Sequence, residues 1–175
     1  IAYLIMLSYE VNLILAMHGT EEVVRAWLPN LAKGNKLGCI SLTEAECGSD
    51  VSAIKTRAIR DHDYYLISGG KSPISFGIQA DITILFAKTS FEARNSGVTA
   101  FFVPLDLPGI SKFPVTGMGL LPSSPASFKF DEVRVPIKYR IGEEGEGFDI
   151  NASLGLFSDF SRILSGLISL GSSQA

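Results

Sequence analysis

Between Leu37 and Gly142 the sequence breaks into short runs rich in β-branched and aromatic residues: KLGCISLT, YYLISGG, ITILFAKT, VTAFFVPL and ASFKFDEV. No long helical pattern separates them, and this one feature narrows the fold most. Runs of this length, divided by DHD, GGK, ARNSG, LPG and LPSSP, read as strands punctuated by turn residues. Several in succession predict a closed antiparallel barrel or a sandwich. The lack of crossover helices argues against a doubly wound nucleotide-binding sheet.

The flanks have a different texture. IAYLIMLSYEVNLILAMH is apolar and helical in pattern, but Glu10 and Asn12 interrupt it and no basic segment precedes it. Its uninterrupted apolar span is too short for a bilayer, which predicts a helix packed against protein and no transmembrane segment. After Gly19, Thr20 can cap a second helix with Glu21 and Glu22 in its first turn, where the helix dipole favours acids. Val23, Val24, Trp27 and Leu28 fall at helical spacing before Pro29 disturbs the pattern. From Phe148 onward the chain is helical again, with Leu156, Ile163, Leu167 and Leu170 roughly on one face. The expected fold class is therefore α+β, a central antiparallel β-barrel or sandwich flanked by helical pieces. A chain that opens on Ile1 and closes on GSSQA reads as part of a longer polypeptide.

A net charge of -3 argues against nucleic acid as a partner, since phosphate binding needs a basic face. Cys39 and Cys47 make no disulfide framework and suit a reducing compartment as small buried hydrophobes. His18 and His62 are isolated, and neither has a neighbour at metal-ligand spacing.

Two loops could carry chemistry. In SLTEAECGSD, residues 41–50, a strand ending at Leu42 and Thr43 can present main-chain groups and a hydroxyl to a planar heterocycle. Gly48, Ser49 and Asp50 then begin a turn or short helix whose amides can accept an anion, unless Ser49 or Asp50 merely caps that turn. In GGKSPISFG, residues 69–77, Lys71 leads into Ile74 and Ser75, a polar strand edge or simply a hairpin turn. In DEVRVPIKYRIGEEGEGF an edge strand ending at Pro136 is expected to pass into a connection toward the last helix.

In order along the chain, GTEEVVRAWLPNLAKG, LTEAECGSDVSAIKTRA, ISGGKSPIS, VTAFFVPLDLPGIS, FDEVRVP and GEEGEGF resemble the acyl-CoA dehydrogenase family of flavoproteins. The resemblance implies three parts: residues 1–36 as the end of an N-terminal helical domain, 37–142 as a middle β-barrel domain, and 143–175 as the start of a C-terminal helical domain. It implies flavin adenine dinucleotide (FAD) held by Leu42, Thr43, Gly48, Ser49, Ile74 and Ser75, and an acyl-CoA substrate touched by Ser49, Asp159 and Arg162. By that template Leu42 and Thr43 take the flavin's pyrimidine side, Ser49 lies where FAD and thioester meet, and Ser75 reaches toward the reactive flavin nitrogen. Three positions depart from the family pattern: Ala45 and Pro73 replace a proline and a tryptophan, and Phe76 an asparagine.

The implied reaction is α,β-desaturation, in which a glutamate takes the α-proton while hydride passes to the flavin. That glutamate is not expected within this chain, because Ser161 occupies the one position where a minority of relatives carry it. Glu44 and Glu46 are expected to be scaffold. The resemblance further implies an electron-transfer partner protein, a homodimer or homotetramer, and the cytoplasm or mitochondrial matrix. An acyl-CoA oxidase and a non-catalytic acyl-CoA- or flavin-binding relative are the alternatives, and the chain by itself is expected to hold FAD weakly.

Overall fold

The computed structural model describes residues 2–91, 97–117 and 123–150, together with Ile163, Gly166, Leu167, Ser169, Leu170, Gly171 and Ser173. Two helices come first, α1 (Ala2–His18) and α2 (Glu21–Ala32). Thr20 caps α2 in an extended conformation, its hydroxyl oxygen accepting the Val23 N–H. Pro29 lies inside α2, which runs three residues beyond it. Pro29 removes only the bond to the Arg25 carbonyl, and this late in a short helix that loss is tolerated.

Among the described residues eight strands follow: β1 (Gly38–Ser41), β2 (Arg57–Asp61), β3 (Tyr64–Ile74), β4 (Ile82–Lys88), β5 (Val98–Pro104), β6 (Ile110–Pro114), β7 (Ala126–Pro136) and β8 (Arg140–Ile141). Their order is β6-β7-β3-β2-β4-β5-β8, with β1 also on β4. The sheet is mixed, since β1 and β2 run parallel to β4 and the other pairs are antiparallel. It is not closed into a barrel, because β6 and β8 end the order without pairing. The closed, wholly antiparallel form of the expectation is thereby corrected. β2 and β4 share one register pair, Arg57 with Lys88, so the sheet folds there into two facing layers.

The burial pattern explains which strands do what. β4 and β5 read as nearly unbroken apolar runs because they are covered on both faces. Leu85, Ala87, Phe101 and Val103 face Tyr65, Ile67, Phe128, Phe130 and Val133 across the layers. Their alternate residues Ile82, Ile84, Phe86, Val98, Ala100 and Phe102 pack on Val11, Ile14, Leu15, Val23 and Leu31 of the two helices. Gly38 lets α1 come this close, for a Cβ there would meet Val11 Cγ1 at 2.5 Å. β7 instead alternates, with a register slip opposite Ser68 that places Glu132 at φ 50°. β6 flanks it only as far as Phe130, so its end from Val133 to Pro136 pairs with β3 alone and is an edge, as expected, where Pro136 is tolerated.

GGK is not a turn: β3 passes straight through Gly69, Gly70 and Lys71. Gly69 sits at φ +149°, and a Cβ there would lie 2.7 Å from the Thr56 Cα, so only glycine fits. No helix among the described residues is long and apolar enough to cross a membrane.

Candidate functional site

The chain leaves β1 at Ser41 and immediately meets β3. The Ser72 N–H donates to the Thr43 carbonyl at 3.0 Å, and Lys71 Nζ donates to the Leu42 carbonyl at 2.9 Å. Leu42 and Thr43 are thus tied to the strand end that carries Ile74 and Ser75. Next, Glu44 and Cys47 exchange two main-chain hydrogen bonds of 2.9 and 3.1 Å, closing Ala45 and Glu46 into a tight turn. Gly48 and Ser49 follow on the exposed side, and a Cβ at Gly48 would meet nothing within 4 Å.

Beneath this surface lies a buried ion pair. The Lys71 side chain has no exposed surface, and its ammonium donates to Glu44 Oε1 at 2.8 Å. The Glu44 carboxylate also accepts the main-chain N–H of Lys55 at 2.7 Å and of Thr56 at 3.0 Å. Burial pushes the Glu44 carboxyl up, but Lys71 and these amides outweigh it and hold the group below the ordinary carboxylate range. Burial pulls Lys71 below the ordinary lysine range, with Glu44 opposing it. Glu46 is exposed and paired with Lys55. Neither carboxylate is therefore an idle base: one is a structural anchor and the other a solvated partner.

Asp50 caps the short 3-10 helix Val51–Ala53, its Oδ1 accepting the Ser52 N–H at 3.0 Å. Ser49 remains exposed beside it. Ile74 is buried, whereas Ser75 is half-buried and its hydroxyl bonds that of Tyr3 at 3.1 Å. The Tyr3 ring leans on Phe76, centroids 5.5 Å apart. Phe76 sits at φ 58°, a left-handed conformation that asparagine tolerates better, while Pro73 is exposed.

Leu42 and Thr43 are thus brought to the end of β3 next to Ser75, on a polar margin where β1 and β3 end; Gly48 and Ser49 follow on the exposed turn, and Ile74 is buried in the core. Among the described residues the N–H groups of Thr43, Gly48 and Ser75 have no hydrogen-bond acceptor. Amide donors without an acceptor among the described residues, together with hydroxyls and backed by a fixed ion pair, fit a planar ring edge bearing carbonyl and nitrogen acceptors, as a flavin does. Asp159, Ser161 and Arg162 lie outside the described residues.

Lys71 and Tyr3 went unassigned in the sequence. Glu44 and Lys71 are 27 residues apart, and no spacing rule links them. Cys39 and Cys47 are both buried and free, and burial pushes the Cys39 thiol up to about 11. His62 is exposed, His18 ends α1, and no cluster of metal-binding side chains occurs among the described residues.

Comparison with known proteins agrees in sequence and shape. The family model described as acyl-CoA dehydrogenase, middle domain, matches residues 39–133. The chain is 34% identical over 158 residues to the mitochondrial short-chain specific acyl-CoA dehydrogenase of Sus scrofa, covering 90% of this chain and 38% of that protein. A solved FAD-dependent dehydrogenase superposes with a TM-score of 0.83 at 33% identity, over 86% of this chain and 41% of that one. Butyryl-CoA dehydrogenase from Megasphaera elsdenii superposes with a TM-score of 0.79 at 34% identity, over 85% and 39%. The chain spans only 31% to 41% of the length of the curated relatives it matches. A match across more than half of its residues, carried by the same strands that build the polar margin, means that the chain belongs to the acyl-CoA dehydrogenase family.

Proposed function

We propose that this chain supplies the flavin-holding part of an FAD-dependent dehydrogenase that desaturates acyl-CoA thioesters at the α,β position. One observation carries the reading: the N–H groups of Thr43 and Ser75, without an acceptor among the described residues, lie on a margin tied down by Lys71 and Glu44. FAD, when bound, supplies the hydride acceptor. Leu42 and Thr43 would hold the ring's pyrimidine side, Gly48 and Ser49 its junction with substrate, and Ile74 and Ser75 the edge nearest the reactive nitrogen. Asp159 and Arg162 would meet the coenzyme A portion. The proton-abstracting carboxylate belongs to residues other than Glu44, both of whose oxygens are already committed, and Glu46, which faces solvent paired with Lys55.

In this reading residues 1–36 end a helical domain, 37–142 form the middle domain and 143–175 begin a second helical domain. The protein acts as a homo-oligomer, passes electrons to a partner protein, and works in the cytoplasm or mitochondrial matrix. Full-length protein should purify yellow, and anaerobic addition of a suitable acyl-CoA should bleach its visible flavin bands. A folded, colourless protein whose denatured extract holds no flavin overturns the reading.

A further inference from the structure

We propose that Lys71 is a positioning residue: its buried ammonium turns the Leu42–Thr43 peptide so that the Thr43 N–H faces the cofactor. The proposal rests on the flavin reading above and concerns how this margin is aimed.

Stability alone does not explain a lysine here. A wholly buried ion pair loses most of its attraction to desolvation, and apolar side chains of similar volume serve as well. An ammonium can do one thing a methionine cannot, which is to grip a carbonyl. The Leu42 C=O and the Thr43 N–H belong to one planar trans peptide unit, so they point in opposite directions. Lys71 Nζ holds that carbonyl inward at 2.9 Å, which sends the Thr43 N–H outward.

The next peptide is fixed too, because the Thr43 carbonyl accepts the Ser72 N–H. Both peptide planes flanking Thr43 are therefore set from two consecutive residues of β3. Glu44 supplies the counter-charge that keeps Lys71 ionised in the interior, and is itself anchored by the Lys55 and Thr56 amides. The outcome is a donor with no acceptor among the described residues, on a half-buried residue of a loop fixed from both sides. A ring carbonyl oxygen is the partner its chemistry suits.

The test pairs Lys71→Met with Glu44→Gln in full-length protein. Glutamine keeps an acceptor for one of the two amides, which Glu44 now bonds through separate oxygens, while both charges leave together. Amide exchange in the wild-type apoprotein should show Thr43 exchanging freely beside protected Lys55 and Thr56, and FAD should protect Thr43. In the folded double variant FAD affinity should fall about tenfold, the worth of one hydrogen bond, and FAD should no longer protect Thr43. Unchanged affinity and protection in that variant overturn the proposal. So does a Thr43 amide that is already protected in the wild-type apoprotein, a result that decides the matter even if the variant fails to fold. Wild-type protein that takes up no FAD overturns the functional reading instead, whereas FAD uptake that leaves Thr43 exchange unchanged overturns the role of Lys71 alone.

Discussion

Removing Lys71 by itself strands the Glu44 carboxylate in the interior without its counter-charge. Lys71→Met should cost about 3 kcal/mol in urea unfolding. Adding Glu44→Gln should recover part of that loss, because the two residues share one interaction. A double variant that sums the two single losses would show that they act independently. Glu44 also gives the fold an acid-sensitive term. Its folded carboxyl titrates below the ordinary value, so its stabilisation is complete above that value and is lost as pH falls through the folded one. The stability gap between wild type and Glu44→Gln should therefore narrow from pH 6 toward pH 3; a gap that widens reverses the sign argued here. Phe76 poses a different contest. Phe76→Asn relieves a left-handed strain worth about 1 kcal/mol but forfeits a ring that is 5% exposed, worth about 3 kcal/mol. Burial wins, and the variant should be less stable by about 2 kcal/mol in thermal or urea unfolding.

At the level of elements, the sequence marked those whose signals are local. Thr20 followed by two acids marked the start of α2, and the β-branched runs marked β1, β3, β4, β5 and β7. Errors arose where a neighbour overrode the local signal. Gly69 and Gly70 look like a turn, yet Gly69 is there because Thr56 comes too close for any side chain. Pro136 did mark an edge, but only for the end of β7, because β6 flanks the first half as far as Phe130. Thr20 is more than a cap: its hydroxyl donates to the Lys138 carbonyl at 3.0 Å, joining α2 to the 3-10 turn Ile137–Tyr139. Thr20→Ala should thus cost about 1.5 kcal/mol, somewhat more than a typical cap, and Thr20→Ser should restore most of it. Equal losses for the two variants would show that the methyl group matters and the hydroxyl does not.

For the whole molecule, closure of the sheet could not be read from the sequence. It depends on whether the first and last strands of the order meet, and strand patterns say nothing of that. The polar margin was visible as two separate loops, but their joining through Lys71 and Ser72 is a tertiary fact. The same view explains what the chain should do alone. A tightly held ligand of this size usually has most of its surface covered, and the margin offers one side. Apolar surface is also left bare: Ile5 is 63% exposed, Met17 56%, Ile163 61% and Leu167 57%. Isolated residues 1–175 should consequently bind FAD at least tenfold more weakly than full-length protein, as read by ultrafiltration of free flavin. They should also self-associate as concentration rises, in light scattering or sedimentation, because large exposed apolar side chains favour contact. Stoichiometric, tightly held FAD on a monomeric 175-residue chain would mean that this margin suffices without further walls. The helices would then shape the substrate's path rather than the cofactor's affinity.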